Sequence, residues 1–256
     1  MNKKVFNYTV PVIILICLSA VIICGCRLFN YYRDIRKISD ENAEIRSEIA
    51  IADSSAHDSE TDMLSRFKTL YGENSDLAGW IKIDGTDIDY PVMQSDSTAP
   101  EFYLNHSFYK EPSTAGTPFL DYRCSISDAS DNLIVYGHNM KSGLMFHPLI
   151  LYTDYEFLQK NRFVSFSTLY SEDIYEIFAV FKYDLTNEQD TEFNIVRHVD
   201  YDNPAQFSEF IDYAVRASLH PIYETPAYGD RLLTLITCEY SSNDSRLVVV
   251  AKPADS

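Results

Sequence analysis

Positive charge is scarce in this chain. Its 256 residues hold 21 Lys and Arg against 38 Asp and Glu, a formal net charge of −17. That balance excludes a nucleic-acid binder working through a basic face, because phosphate contacts need Lys and Arg. Cysteine is scarce too. Of five, Cys17, Cys24 and Cys26 lie in or beside an apolar N-terminal run, which leaves Cys124 and Cys238 for the rest of the chain. Two thiols make no disulfide framework, although a single Cys124–Cys238 bridge stays open. No CxxC or HExxH spacing and no EF-hand loop occurs, so no metal and no cofactor is implied. There is no repeat at a fixed period and no low-complexity tract beyond one short linker.

What is present begins with an apolar run. Val5 to Cys26 carries no charged residue and is rich in Val, Ile and Leu. A helix needs about 20 such residues to cross a bilayer. A cleaved leader would have a shorter apolar region and an Ala-x-Ala-like site, which is missing. The expectation is therefore an N-terminal transmembrane helix within residues 1–29, including a short tip before it. Charge does not orient it: Lys3 and Lys4 precede the span, but Arg27, Arg33, Arg36 and Lys37 follow it. Residues 30–61 read as a helical stalk and linker. Ile35, Ile38, Ile45 and Ile49 fit a 3–4 spacing with Asn42 in the remaining seam position, and the helix is expected to be exposed. Ala52 to Asp62 is small, polar and acidic, hence linker, with Asp62 a candidate cap for a helix through Leu64, Phe67 and Leu70.

Residues 62–256, about 190 in number, suffice for one well-buried core. From Trp80 onward the pattern is mostly strand. Ile81/Ile83 and Ile88/Tyr90/Val92 alternate around a turn at Asp84-Gly85. Arg162 to Phe166 and Ile174 to Tyr183 are further strands. Pro204 to Arg216 differs: Phe207, Phe210, Ile211 and Ala214 share a helical face, and Pro204 suits a helix start.

The chemistry concentrates near the end of the chain. Arg231-Leu-Leu-Thr-Leu-Ile-Thr-Cys238 reads as a buried strand ending on a cysteine. Ser245-Arg246-Leu-Val-Val-Val-Ala-Lys252 reads as its neighbour, across a polar turn from Glu239 to Asp244. Pairing would set a thiol beside a guanidinium. A nearby cation favours the thiolate, and a fixed donor can hold an oxyanion. Asn132-Leu-Ile-Val-Tyr-Gly-His138 delivers a histidine just past a strand. It lies 100 residues before Cys238, so any nucleophile–base pair must be tertiary.

These segments resemble the sortases, membrane-anchored cysteine transpeptidases of Gram-positive cell surfaces. Thr234-Leu-Ile-Thr-Cys238 matches their TLxTC motif, Arg246 falls at their catalytic arginine, and Tyr136-Gly-His138-Asn matches their histidine motif. Leu77-Ala-Gly-Trp-Ile81, Gly85 to Gln94 and Thr117 to Arg123 also read as family sequence. The resemblance covers roughly Leu64 to Pro253. It is most like class B: the interval from His138 to Cys238 is long enough for an extra helix, a helical segment precedes the first strand, and neither a second hydrophobic span nor an Asp-Pro-aromatic lid is found.

The resemblance implies a mainly β fold, a closed sortase-like barrel with peripheral helices behind an N-terminal transmembrane helix. It implies Cys238 as nucleophile, His138 as general acid and base, and Arg246 as oxyanion donor. Glu239 would add its backbone N–H, and Asn105, Thr237 and Glu239 would line the peptide groove. His106 and His147 match no motif and are read as structural. The implied partners are secreted proteins with a C-terminal sorting motif of the Asn-Pro-x-Thr type, and a peptidoglycan amine. The chain would sit in the cell membrane, N-terminus cytoplasmic and catalytic domain extracellular. A pilin polymerase using a pilin lysine, a non-catalytic surface-binding domain on the same barrel and a plain cysteine hydrolase are the alternatives.

Overall fold

The structure, a computed structural model, describes residues 3–53, 63–127, 130–184, 199–238 and 245–254, without the side chains of residues 3–10, 52, 53 and 238. The chain divides into two units, Met1–Glu41 and Asn42–Ser256. Helix α1, Lys3–Asp53, makes up the first unit and runs into the second. Among the described residues it alone is long and apolar enough to cross a membrane. Large apolar side chains from Val12 to Phe29 are exposed along it.

In the second unit the exposed stalk needs correction. Asn42, Ile45 and Ile49 are buried. The two isoleucines, one helical turn apart on one face, join Phe67, Leu70, Leu77, Trp80, Tyr103 and Phe119 in one apolar cluster. The 3–4 spacing seen in the sequence is thus satisfied within the second unit, by an apolar cluster drawn from both strand and helical residues. The next helical segment is broken into a 3₁₀ turn, Ser65–Phe67, and helix α2, Lys68–Glu73. Its candidate cap, Asp62, lies outside the described residues.

The strands are β1 (Leu77–Lys82), β2 (Asp89–Met93), β3 (Phe119–Leu120), β4 (Asn132–Tyr136), β5 (Phe163–Thr168), β6 (Glu172–Asp184), β7 (Leu232–Cys238) and β8 (Ser245–Pro253). They close into a barrel in the order β1-β2-β3-β4-β7-β8-β6-β5. β5 alternates buried and less buried residues, whereas β4 and β8 are buried almost throughout. Strands covered on both faces read as continuous Val, Ile and Leu, as Leu133-Ile-Val135 and Leu247-Val-Val-Val250 do.

Helix α3 (Tyr155–Lys160) and helix α4 (Pro204–Ala217) lie outside the barrel order. α4 follows its sequence pattern: Asn203 caps Ala205 and Gln206 through its side chain, Pro204 opens the first turn, and Phe207, Phe210, Ile211 and Ala214 are buried. α3 and the 3₁₀ run His147–Thr153 before it carry weaker sequence signals.

One pairing matters most for function. β4 and β7 are parallel, with Asn132 opposite Leu232 and Tyr136 opposite Ile236. Parallel neighbours need a long crossover, and residues 137–231 supply it. β7 and β8 are antiparallel, with Cys238 opposite Arg246.

Candidate active site

The register brings the motif residues to one end of the barrel. Tyr136 faces Ile236, so His138, two residues on, comes level with Cys238, two residues on. The pairing continues past the strand: the Gly137 amide donates to the Ile236 carbonyl at 3.1 Å, and the Thr237 hydroxyl donates to the Gly137 carbonyl at 2.7 Å. Arg246 sits across from Cys238 on β8. Gly137 has no substitute here. A Cβ at this position would stand 2.6 Å from Cγ of Phe146, a ring with no exposed surface.

His138, Thr237 and Arg246 line one cleft of about 430 Å³, with Leu104, Tyr136 and Asp121 among its other walls. The His138 Nε2 lies 2.8 Å from the Leu104 carbonyl oxygen. A carbonyl only accepts, so Nε2 carries the hydrogen and Nδ1 is the nitrogen left to exchange a proton. The loop after His138 is held as well, since the Phe146 amide donates to the His138 carbonyl at 2.8 Å. The Arg246 Nη1 donates to the Ser245 carbonyl at 3.1 Å.

In the wall of the cleft is a polar cluster whose meeting pattern reading did not foresee. The Tyr136 hydroxyl donates to Asp121 Oδ2 at 2.9 Å. Arg123 grips the same carboxylate with Nε at 2.8 Å and Nη2 at 2.7 Å, a bidentate geometry. Burial of Asp121 works against its ionisation, but the Arg123 side chain and amide and the Tyr136 hydroxyl outweigh it, and the carboxyl titrates below its ordinary range. Burial and then the Asp121 charge push the Tyr136 phenol up. The sequence signal was there, in Asp121-Tyr-Arg123 and in the tyrosine before Gly137, but nothing in spacing said that the two segments meet. The Leu104 carbonyl left no signal at all, because any residue carries one.

The remaining sequence candidates fall as follows. Thr237 is buried and its hydroxyl is engaged with Gly137. Asn105 is exposed, directly after Leu104, and is not part of the cleft lining. Glu239 and the turn to Asp244 lie outside the described residues. His106 stacks on Phe102 with ring centroids 3.8 Å apart, and His147 pairs with the Asn139 amide oxygen at 2.7 Å. Cys124 donates to the Asn132 carbonyl at 3.4 Å, which is the Leu232 end of β7. Leu232 and Cys238 are six residue steps apart along β7, about 20 Å at about 3.3 Å per step. A disulfide needs Cα atoms within about 7 Å, so the Cys124–Cys238 bridge is excluded.

The sortase domain model matches residues 81–254. The chain belongs to the sortase family. Sortase B of Staphylococcus aureus (strain NCTC 8325) is 33% identical over 189 residues, covering 73% of this chain and 74% of that protein. The solved structure of an S. aureus sortase B–substrate complex superposes with a TM-score of 0.76 at 27% identity, over 87% of this chain and 99% of that one. Sortase B from B. anthracis in complex with AAEK1 gives a TM-score of 0.75 at 29% identity, over 88% and 100%. The protein is therefore a sortase-type cysteine transpeptidase most like class B, and the closed barrel foreseen from its motifs is the barrel it has.

Proposed function

We propose that this sortase is anchored by the apolar part of α1, N-terminus inside and domain outside. In this reading it cleaves an Asn-Pro-x-Thr-like sorting motif after Thr and transfers the acyl group to a peptidoglycan amine. The observation that carries the site assignment is the strand register, which sets His138 level with Cys238 and Arg246 opposite it. The substrate class is supported by the likeness to a sortase B determined with its substrate.

The steps follow from the chemistry of each group. The Cys238 thiolate attacks the carbonyl carbon of the motif threonine. The Arg246 guanidinium, with the Glu239 amide, takes the developing oxyanion; one such donor is worth about 100- to 1,000-fold in rate. The C–N bond breaks as His138 gives its proton from Nδ1 to the departing amine, leaving a thioester on Cys238. The acceptor amine attacks that thioester, His138 takes the amine's proton, and the thiolate leaves. The Leu104 carbonyl holds the ring in the tautomer this needs, the task a carboxylate or amide performs in other cysteine–histidine sites.

The test uses the full chain in detergent micelles. Quenched peptides carrying Asn-Pro-x-Thr or Leu-Pro-x-Thr-Gly are offered with diaminopimelate, oligoglycine or a pilin-type lysine peptide, and products are read by mass spectrometry. A thioester that disappears in Cys238→Ala, together with an amine-linked product, is the expected result. Lysine-peptide capture alone would move the assignment to pilin assembly. Turnover that survives in Cys238→Ala would sink it.

A further inference from the structure

We infer that the last turns of α1, through Ile45 and Ile49, are positioning elements for His138. The inference rests on the catalytic role proposed for that histidine. Ile45 is 1% exposed and Ile49 9%, and both belong to one buried cluster with Tyr103 and Phe119. Leu104 and Tyr136 pack against the same cluster. These two line the cleft: Leu104 gives the carbonyl that holds His138 Nε2 at 2.8 Å, and Tyr136 stands two residues before His138 on β4.

The 3₁₀ turn that carries this carbonyl, Phe102–Leu104, is clamped from several sides. The Asn74 side chain donates to the Tyr103 hydroxyl at 2.8 Å, and that hydroxyl donates to Asp76 Oδ2 at 2.8 Å. The Thr117 amide donates to the Tyr103 carbonyl at 2.9 Å. Gly116, at φ +59°, lets the chain pass: a Cβ there would lie 2.4 Å from the Leu104 oxygen and 2.5 Å from the Tyr103 oxygen. What remains is the apolar cluster in which Tyr103 is buried, and α1 contributes Ile45 and Ile49 to that cluster. A short turn has little stiffness of its own, so its carbonyl is placed by what packs behind it. Thinning that packing leaves a void that neighbours relax into, and a displacement of about 1 Å at a reacting group costs up to about a hundredfold in rate.

The experiment compares full-length wild type with Ile45→Ala, Ile49→Ala, the double variant and the conservative Ile45→Val/Ile49→Val pair, all in micelles. Thermal melts give the folded fraction. Peptide-cleavage kinetics give kcat per folded molecule, KM and the pH profile. Long-range ¹⁵N–¹H correlation of histidine-labelled protein gives the His138 tautomer. For the double Ala variant we expect kcat lower by about tenfold or more, KM within about twofold, a displaced pH profile, and loss of the pure Nε2–H signature. The Val pair should restore most of each. Gly116→Ala, which pushes on the Leu104 oxygen directly, should give the same signature. A double Ala variant that melts earlier but keeps wild-type kcat, pH profile and His138 tautomer would overturn the inference, because support of the fold alone predicts that pattern. If wild type shows no Cys238-dependent turnover, the transpeptidase reading fails, and the tautomer measurement still decides the positioning claim.

Discussion

Replacing Thr237 by valine should loosen the tie between the two segments that carry the proposed catalytic pair. The Thr237 hydroxyl donates to the Gly137 carbonyl at 2.7 Å, and each partner immediately precedes a proposed catalytic residue. Thr237 is 2% exposed. Valine keeps the shape but removes the donor, so the Gly137 carbonyl is left without it in a buried place. An unsatisfied buried acceptor costs about 1–3 kcal/mol. In a domain of this size each kcal/mol moves Tm by about 2–4 °C, so a drop of about 2–12 °C is expected. The effect on chemistry should exceed the effect on folding. Loosening this tie lets His138 drift relative to Cys238, and kcat should fall by about tenfold or more with little change in KM. Thr237→Ser keeps the hydroxyl and should stay near wild type in both. Melts by circular dichroism and cleavage of a sorting-motif peptide read the two quantities. If Thr237→Val keeps wild-type Tm and kcat, or if Ser and Val lose equally, the hydrogen bond is not the agent.

Other outcomes follow from the same geometry. Gly137→Ala forces a Cβ to within 2.6 Å of the Phe146 ring; overpacking of this kind costs about 1–3 kcal/mol, and activity should fall further than stability, as melts and kinetics will show. Asp121 titrates below the ordinary carboxylate range when folded, because Arg123 and Tyr136 outweigh the burial that opposes its ionisation. Its contribution is therefore present above the unfolded value of about 3.9 and is lost as pH falls through the lower folded value. The Tm gap between wild type and Asp121→Asn should be open at pH 6 and close as pH drops below about 4; a gap constant across that range would contradict this. Burial pushes the Cys124 thiol up to about 12, which leaves about one thiolate in ten thousand at pH 8. Iodoacetamide should modify Cys124 only after unfolding, read by peptide mass spectrometry, and rapid labelling of folded protein would contradict its burial.

Much of this was legible along the chain. An uncharged run from Val5 to Cys26 needs no tertiary information to be recognised as apolar enough for a membrane, since span length and charge are local properties. The strands β4, β7 and β8 were evident because continuous Val, Ile and Leu are what a strand buried on both faces requires. Helix α4 declared itself by its proline and its 3.6-residue period. Cys238, His138 and Arg246 stood out through the residues flanking them.

The tertiary structure decided what depends on partners. The spacing of Ile45 and Ile49 announces an apolar helix face but cannot say what covers it; the cluster that buries it combines barrel residues such as Leu77 and Trp80 with Phe67 and Leu70 of the next helical segment. The Cys124–Cys238 disulfide was open in sequence and closed by distance, since the thiol of Cys124 lies at the far end of the strand pair. The meeting of Asp121, Arg123 and Tyr136, and the carbonyl of Leu104 on His138, arise from segments 15 and 34 residues apart. Periodicity records which face of an element is buried. It carries no record of which distant element does the burying, and a backbone carbonyl has no side chain by which the sequence could announce it.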